Sequence, residues 1–164
     1  MLRDKQNQER AAYLTLTGLF FAIFALFSSR YRRKSDIQNL RSRELVMLGF
    51  ATYRLGHLIS FDKVTEPLRL PFTETKMDEF GAAMTVEARG EGVRRAIGEL
   101  ISCPICSGTW VAAALVYLVN LFPGPGRIFI TMLGAIGMGE ALHALTEQLS
   151  WTAALARKRV GKAV

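Results

Sequence analysis

The feature that most constrains this chain is a run of 19 residues without charge, Ala11–Ser29 (AAYLTLTGLFFAIFALFSS). At a helical rise of about 1.5 Å per residue, such a run comes close to spanning the roughly 30 Å hydrocarbon core of a bilayer. A cleaved signal peptide is the competing interpretation. However, Asp4 and Glu9 interrupt the basic start, and no A-x-A cleavage site ends the run. The run therefore predicts an uncleaved transmembrane helix.

Three further apolar segments follow, at Leu45–Phe61, Pro104–Phe122 and Ile128–Leu149. Half of the 164 residues are hydrophobic although 21% are charged, so the apolar residues are concentrated in these blocks. We expect an all-α fold, an integral membrane helical bundle with three or four transmembrane helices. The number stays open because the second segment contains Arg54 and His57. An arginine at the centre of a span costs about 2.5 to 3.5 kcal/mol.

The last two apolar segments are joined by Phe122–Arg127 (FPGPGR). Its two prolines remove backbone donors and its two glycines permit a sharp reversal, which predicts a tight C-terminal helical hairpin. Small residues spaced by four let membrane helices approach closely. We expect the hairpin to pack through such residues, namely Gly108 and Ala112 on its first helix and Thr131, Ala135 and Gly139 on its second.

The net charge of +7 comes from lysines and arginines that flank the apolar segments. No aromatic platform is interleaved with them, so we expect contact with a lipid bilayer and no nucleic acid. If the second segment does not cross, an outside N-terminus leaves 16 lysines and arginines inside against 4 outside; if it crosses, an inside N-terminus gives 13 against 7. Both models describe a multi-pass protein of the bacterial cell membrane, with the cysteine pair and the C-terminus in the cytoplasm.

The chain divides into three parts by composition. Residues 1–44 form an N-terminal extension with one transmembrane helix and a basic loop, 45–149 a membrane core, and 150–164 a basic cytoplasmic tail. Within the core, the stretch that begins at Asp62 contains two prolines and is expected to be an extended surface loop. From Thr85 to Leu100, apolar residues near helical spacing predict an amphipathic helix at the interface.

The only two cysteines, Cys103 and Cys106, stand in the string CPIC. Pro104 favours the first helical position, which would make Cys103 the N-cap and put Cys106 in the first turn. Free N–H groups and the positive end of a helix dipole lower a thiol pKa there. A thiol-disulfide centre normally follows a strand in a βαβ unit, whereas these cysteines follow a predicted helix. Simple packing of small sulfur side chains is the other interpretation.

Two cysteines and two histidines are also the set required by a tetrahedral zinc site. Folding the hairpin about Gly124 and Pro125 would bring Cys106 level with His143, and His57 of the second segment would complete the set. The sequence therefore leaves open a zinc site of His57, Cys103, Cys106 and His143, against the simpler expectation of no cofactor.

Ionisable residues inside the apolar segments are expected to pair. We predict that Arg54 approaches Glu140, which shares one helix face with His143 and Glu147. Trp110 lies near the end of a segment, as expected for a residue that anchors at the membrane interface.

Two stretches, TYRLGHLISFDKVTEPLR and GELISCPICSGTWVAAALVY, resemble a bacterial membrane-protein family that is classed as a domain of unknown function and has a sporulation-associated member. The resemblance covers roughly residues 45–149. It implies a shared site of functional residues: Arg54, Asp62, Arg69, Glu99, Cys103, Pro104, Cys106, Gly108 and Trp110. Members of that family tend to begin at the second segment, so residues 1–44 and the polar insert near residues 72–88 are additions. The family brings no established activity with it.

Two functions are compatible with these observations. The first is a non-enzymatic membrane component that assembles with itself or with a membrane protein partner through the hairpin and the cytoplasmic face. The second is a membrane enzyme or metal-binding protein that uses Cys103, Cys106 and His143 for zinc or thiol chemistry. The candidate functional cluster consists of Arg54, Asp62, Arg69, Glu99, Cys103, Cys106, Trp110 and Glu140.

Overall fold

A computed structural model describes residues 2–31, 41–77 and 84–160. The helices of this part of the chain are α1 (Leu2–Tyr31), α2 (Ser42–Phe61), α3 (Glu66–Arg69), α4 (Val93–Ser102), α5 (Pro104–Leu121) and α6 (Pro123–Val160). A 3-10 turn lies at Lys63–Thr65, and two strands, β1 (Thr73–Met77) and β2 (Met84–Ala88), form a hairpin. The predicted all-α class is confirmed. Three helices are long and apolar enough to cross a membrane, over Asn7–Arg30, Pro104–Leu121 and Pro123–Leu155.

The helix α2 lies at the centre of the bundle and packs against both α5 and α6. Ala51 of α2 is completely buried and belongs to a core of seven buried residues, Leu48, Ala51, Val111, Leu115, Val119, Ile130 and Leu133. The sequence left open whether this segment crosses the membrane, because it contains Arg54 and His57. In the structure the Arg54 side chain is only 18% exposed and pairs with Glu140 of α6, whereas the His57 ring packs between Tyr53 and Phe61 of α2 itself.

Contacts along α2 fix its direction. Arg127, near the start of α6, lies 3.1 Å from Glu44, and Glu140 further along α6 lies 3.1 Å from Arg54, so α2 and α6 run parallel. Ser60, near the end of α2, donates to the carbonyl of Ile101 just before α5, so α2 and α5 run antiparallel. The two ends of α2 therefore lie level with the two ends of α5.

The helix α1 runs parallel to α5. Phe20 packs edge-on against Trp110 at 5.1 Å between ring centroids, and Phe27 stacks on Tyr117 at 4.0 Å. The start of α1, the end of α2, the β-hairpin, α4 and the cysteines thus share one end of the bundle, the cysteine end. The start of α2 and the α5–α6 connection share the other, the turn end.

The helical hairpin is tighter than predicted. Phe122 alone separates α5 from α6, because Pro123 and Pro125 fall in the first turn of α6, where a missing N–H is harmless. Gly126 lies so close to α5 that a Cβ would stand 2.9 Å from Val119 Cα. This contact shifts the register by about one turn from symmetrical folding about Gly124 and Pro125, which brings Cys106 nearer the level of Gly139 than of His143.

The small-residue face predicted on α6 is also wrong. Thr131, Ala135 and Gly139 are exposed, and a Cβ on Gly139 would have no neighbour within 4 Å. The close approach uses Gly134 and Gly137 instead, where a Cβ would stand 2.7 Å from the Met47 carbonyl oxygen and 2.5 Å from that of Phe50. The face of α6 that carries Gly134 and Gly137 therefore packs against α2. The predicted stripe of Thr131, Ala135 and Gly139 lies on a different face of the helix. Gly108 of α5 is buried as expected, but its neighbour is Thr52 of α2.

The expected surface loop contains an antiparallel β-hairpin in which Thr73 pairs with Ala88 and Met77 with Met84. The amphipathic helix consequently begins at Val93 rather than Thr85. Gly90 and Gly92 have φ angles of 91° and 61°, which side-chain-bearing residues rarely adopt, and they separate β2 from α4.

The predicted end of the fourth apolar segment changes. Segment four does not end at Leu149, because α6 continues to Val160, and residues 161–164 of the predicted tail lie outside the described residues. Residues 32–40 of the basic loop, and 78–83 of the polar insert, also lie outside them.

Candidate functional site

The structure places the predicted site residues in two separate groups, both toward the cysteine end. The first group is ionic and lies where α2 faces α6. Arg54 Nη2 donates a hydrogen bond to Asp62 Oδ2 at 2.6 Å, and Arg54 Nε lies 3.1 Å from Glu140 Oε1. The predicted pair of Arg54 and Glu140 is confirmed, and Asp62 joins it as a second carboxylate. One guanidinium thus holds the end of α2 to the middle of α6.

Arg69 completes this group from α3. Its side chain is buried, and Nη1 donates to the Asp62 carbonyl at 2.6 Å while Nη2 donates to the Phe61 carbonyl at 3.3 Å. The last carbonyls of a helix have no partner within the helix, and a basic side chain stabilises them. Arg69 therefore closes the C-terminal end of α2, a structural task that its sequence position did not reveal.

The second group lines a cavity of about 600 Å³ between α1, α4 and α5. It contains Glu99, Cys103, Cys106 and Trp110, four residues that the sequence nominated. The remaining wall is mainly apolar and includes Tyr13, Leu16, Phe20 and Leu100. A volume of this size is typical of small-molecule sites, which measure about 300–1,000 Å³.

The contribution of α1 to the cavity was missed by sequence reasoning. Tyr13 and Phe20 face the cavity, and Phe27 continues their line onto Tyr117 of α5. These three aromatic residues recur every seven positions, which places them on one face of a helix. That spacing was the signal that could have identified the face of α1 that contacts the core.

Cys103 is the N-cap of α5, as predicted. Its backbone is extended at φ −101° and ψ 106°, and its sulfur accepts the Cys106 N–H at 3.3 Å. Both thiols are free. Hydrogen bonds from the side chain and then from the backbone of Cys106 hold the pKa of Cys103 below its ordinary value, since they stabilise the thiolate. The junction between α4 and α5 is held to α2, because the Ser60 hydroxyl donates to the Ile101 carbonyl at 2.6 Å.

Glu99 stands at the cavity with a shared counterion. Arg95 Nε lies 3.0 Å from Glu99 Oε1, one helical turn away, and 3.6 Å from Glu9 Oε1 on α1. Partial burial raises the pKa of Glu99, and repulsion by Glu9 adds to this shift. Two carboxylates thus divide one guanidinium at the place where α1 docks on α4.

The four predicted zinc ligands are not brought together. Within residues 2–31, 41–77 and 84–160, no three or more His, Cys, Asp or Glu side chains are placed to hold a metal ion. The ring of His57 packs between Tyr53 at 4.6 Å and Phe61 at 5.4 Å, and His143 is exposed on α6. Within the described residues His57, Cys103, Cys106 and His143 do not form one cluster, and the zinc site stays a prediction.

Residues 47–146 match the family described as "Protein of unknown function (DUF1360)". The chain belongs to this family. The DUF1360 match runs from within α2 to within α6 and includes the sequence-predicted members of both groups, while α1, which forms one wall of the cavity, lies outside it.

Two relatives from Bacillus subtilis (strain 168) are similar to this DUF1360 chain. "Sporulation protein YjcA" is 34% identical over 108 residues, which cover 63% of this chain and 91% of that relative. "UPF0713 protein YngL" is 37% identical over 102 residues, covering 59% and 72%. No solved structure matches the chain significantly.

Proposed function

We propose that this protein is a non-enzymatic component of the bacterial cell membrane that assembles with a second copy of itself through the outer face of α6. The observation that carries the proposal is the exposed stripe of Thr131, Ala135 and Gly139, within a segment apolar enough to span a bilayer. Small residues at a spacing of four let two membrane helices come close and pack. An identical stripe on a second copy offers a self-complementary surface, as symmetric dimers require.

The ionic group supports a non-enzymatic role. The guanidinium of Arg54 forms ion pairs with Asp62 and Glu140, and that of Arg69 donates hydrogen bonds to the carbonyls at the end of α2. These charges hold the bundle together, which leaves them engaged within the chain. The printed name of one relative, a sporulation protein, likewise refers to a process and to no reaction.

We further propose that the cysteine end faces the cytoplasm. With α1, α2, α5 and α6 side by side, the sequence segments that flank the cysteine end contain 13 lysines and arginines, against 7 in the segments that flank the turn end. Positive residues are favoured on the cytoplasmic side.

Self-association is tested by energy transfer between two labelled populations mixed in phosphatidylcholine vesicles. The double variant Ala135→Leu with Gly139→Leu places two bulky side chains on the stripe, which should prevent close packing and abolish the energy transfer. Ala144→Leu is the matched control, because Ala144 is also exposed on α6 but lies well around the helix from the stripe. Transfer that is absent in the wild type at high protein density, or unchanged in the double variant, contradicts the proposal.

A second candidate function is thiol-disulfide exchange, favoured by the stabilised Cys103 thiolate beside a second thiol. In this reaction the Cys103 thiolate attacks a partner disulfide, and Cys106 then attacks the mixed disulfide. The partner leaves as a dithiol, and Cys103 and Cys106 are left joined by a disulfide. Incubation with oxidised glutathione should give the internal disulfide in wild type and a stable glutathione adduct in Cys106→Ser. An adduct that also persists in the wild type excludes the exchange.

A further inference from the structure

The cavity between α1, α4 and α5 lies where an amphiphile of the bilayer would meet the protein. Two of its walls, α1 and α5, are helices apolar enough to span a membrane. Its third wall, α4, is the short amphipathic helix that joins the β-hairpin to α5. Tyr13, Leu16, Phe20, Leu100 and Trp110 give this space a mainly hydrocarbon-like surface. Such a surface favours an apolar chain over water.

The polar part of the cavity carries more negative than positive charge. Glu99 lines the cavity, and its only ion-pair partner within the described residues is Arg95, which Glu9 shares. No lysine or arginine is among the described residues that line the cavity, and Arg94 of α4 is engaged elsewhere, since its Nε donates to the Pro71 carbonyl at 2.6 Å. Two carboxylates with one guanidinium leave a charge of about −1, and a partly desolvated carboxylate is stabilised by a cation that donates hydrogen bonds.

We propose that this cavity binds the hydrocarbon chain of an amphiphile whose head group is a primary ammonium. The chain lies along the aromatic and leucine side chains of α1 and α5, and the ammonium donates to the Glu99 carboxylate at the α4 wall. The site lies outside the α6 face used for self-association, so the two proposals stand or fall separately. The ammonium chemistry has two sources, an aminophospholipid of the bilayer and a free long-chain amine.

The chain provides its own reporter for this site. It contains two tryptophans, of which Trp110 lines the cavity and Trp151 is exposed on α6. Trp151→Phe therefore leaves Trp110 as the sole tryptophan. The protein is placed in phosphatidylcholine vesicles, and its fluorescence is followed during titration with dodecylamine or dodecanol, which share a chain and differ in the head group.

The amine should saturate the Trp110 signal at about tenfold lower membrane concentration than the alcohol, the ratio expected for one charge-assisted hydrogen bond. Glu99→Gln should remove this difference while leaving the alcohol unchanged. Glu147→Gln, a change of an exposed carboxyl on α6, should preserve it. Equal binding of amine and alcohol by the wild type overturns the proposal, as does a Glu99→Gln protein that still prefers the amine.

A space-filling variant tests the chain part of the site. Leu16→Phe should weaken both ligands, whereas Leu155→Phe, on the exposed side of α6 away from the self-association stripe, should weaken neither. Circular dichroism and the Trp110 emission maximum of each variant verify that it is folded. Undiminished binding by folded Leu16→Phe protein contradicts the placement of the chain.

Vesicles that contain phosphatidylethanolamine distinguish the two sources. If this lipid displaces dodecylamine, the natural ligand class is the aminophospholipid of the bilayer. If it does not compete, the site takes a single-chain amine.

Discussion

Arg54 Nε lies 3.1 Å from Glu140 Oε1, although 86 positions separate these two residues in the chain. The same guanidinium reaches Asp62 at 2.6 Å. This arrangement places a cation between two carboxylates at the contact of α2 with α6. It explains how a helix with a central arginine is retained in the middle of an apolar bundle, since intramembrane charges require partners.

Arg54→Met should lower the free energy of unfolding by about 2 kcal/mol or more, because it leaves two carboxylates without their cation. Glu140→Gln should cost only about 1 kcal/mol, since Arg54 keeps Asp62. Unfolding in mixed detergent measures both changes, with Glu147→Gln as a matched surface control. Equal losses for the two variants would show that Glu140 matters as much as the cation itself.

The buried Arg69 should be equally sensitive. Arg69→Met removes the donors to the carbonyls of Phe61 and Asp62 and is expected to cost about 2 to 3 kcal/mol. Arg69→Lys retains the charge but loses the forked geometry, so it should restore only part of the stability. Arg157→Met, at an exposed site on α6, serves as the comparison in the same unfolding measurement. Full restoration by lysine would argue that charge alone is needed.

Two glycines on α6 should respond in opposite ways. A Cβ on Gly137 would stand 2.5 Å from the Phe50 carbonyl oxygen, so Gly137→Ala should force α2 and α6 apart and cost about 1 to 3 kcal/mol. Gly139→Ala meets nothing within 4 Å and should stay within about 0.5 kcal/mol of wild type. The unfolding midpoints of the pair provide the test. A larger loss of stability for Gly139→Ala than for Gly137→Ala would mean that α2 does not contact the face of α6 that carries Gly137.

The thiols give a prediction that depends on pH. Because the pKa of Cys103 is lowered, its thiolate persists to lower pH, and alkylation should begin below the range of an ordinary cysteine. Cys106→Ala removes the side-chain donor, so the Cys103 pKa should rise and the alkylation profile should move to higher pH. Iodoacetamide rates measured across pH on this variant and on wild type give both profiles. Coincident alkylation profiles for Cys106→Ala and wild type would contradict the hydrogen bond from the Cys106 side chain to the Cys103 sulfur.

Labelling from either side of a membrane tests the position of α2. Arg43 is exposed in the first turn of α2 and Thr75 is exposed beyond the other end of this helix, so cysteines placed there should react from opposite sides. Arg43→Cys and Thr75→Cys are made in a background with Cys103→Ala and Cys106→Ala, and a membrane-impermeant maleimide is applied to sealed vesicles. Reaction of both sites from one side would mean that α2 does not cross.

Much of the architecture follows directly from the sequence. The uncharged run in α1, the apolar lengths of α5 and α6, and Pro104 after Cys103 predict helices and a cap through local chemistry alone. The pairing of Arg54 with Glu140 was predictable because charges within apolar segments require partners.

The remainder depends on contacts between distant segments. Small residues occur on two faces of α6, and spacing shows which of them share a face but not which face α2 covers. Gly137 and Gly139 lie only two positions apart, yet one is in contact and the other is open. The cavity could likewise not be predicted from sequence motifs, because α1 forms one of its walls and is distant in sequence from Glu99 and Cys103.

The central place of α2 has a consequence for biosynthesis. During translation, the carboxylate of Glu140 and the buried glycines of α6 become available only after α2, the β-hairpin and α5 have left the ribosome. Until then α2 has an arginine without one of its two carboxylates and lacks one of its two neighbouring helices. We therefore expect α2 to wait at the membrane surface or beside the insertion machinery, and to settle between α5 and α6 as the final act of assembly.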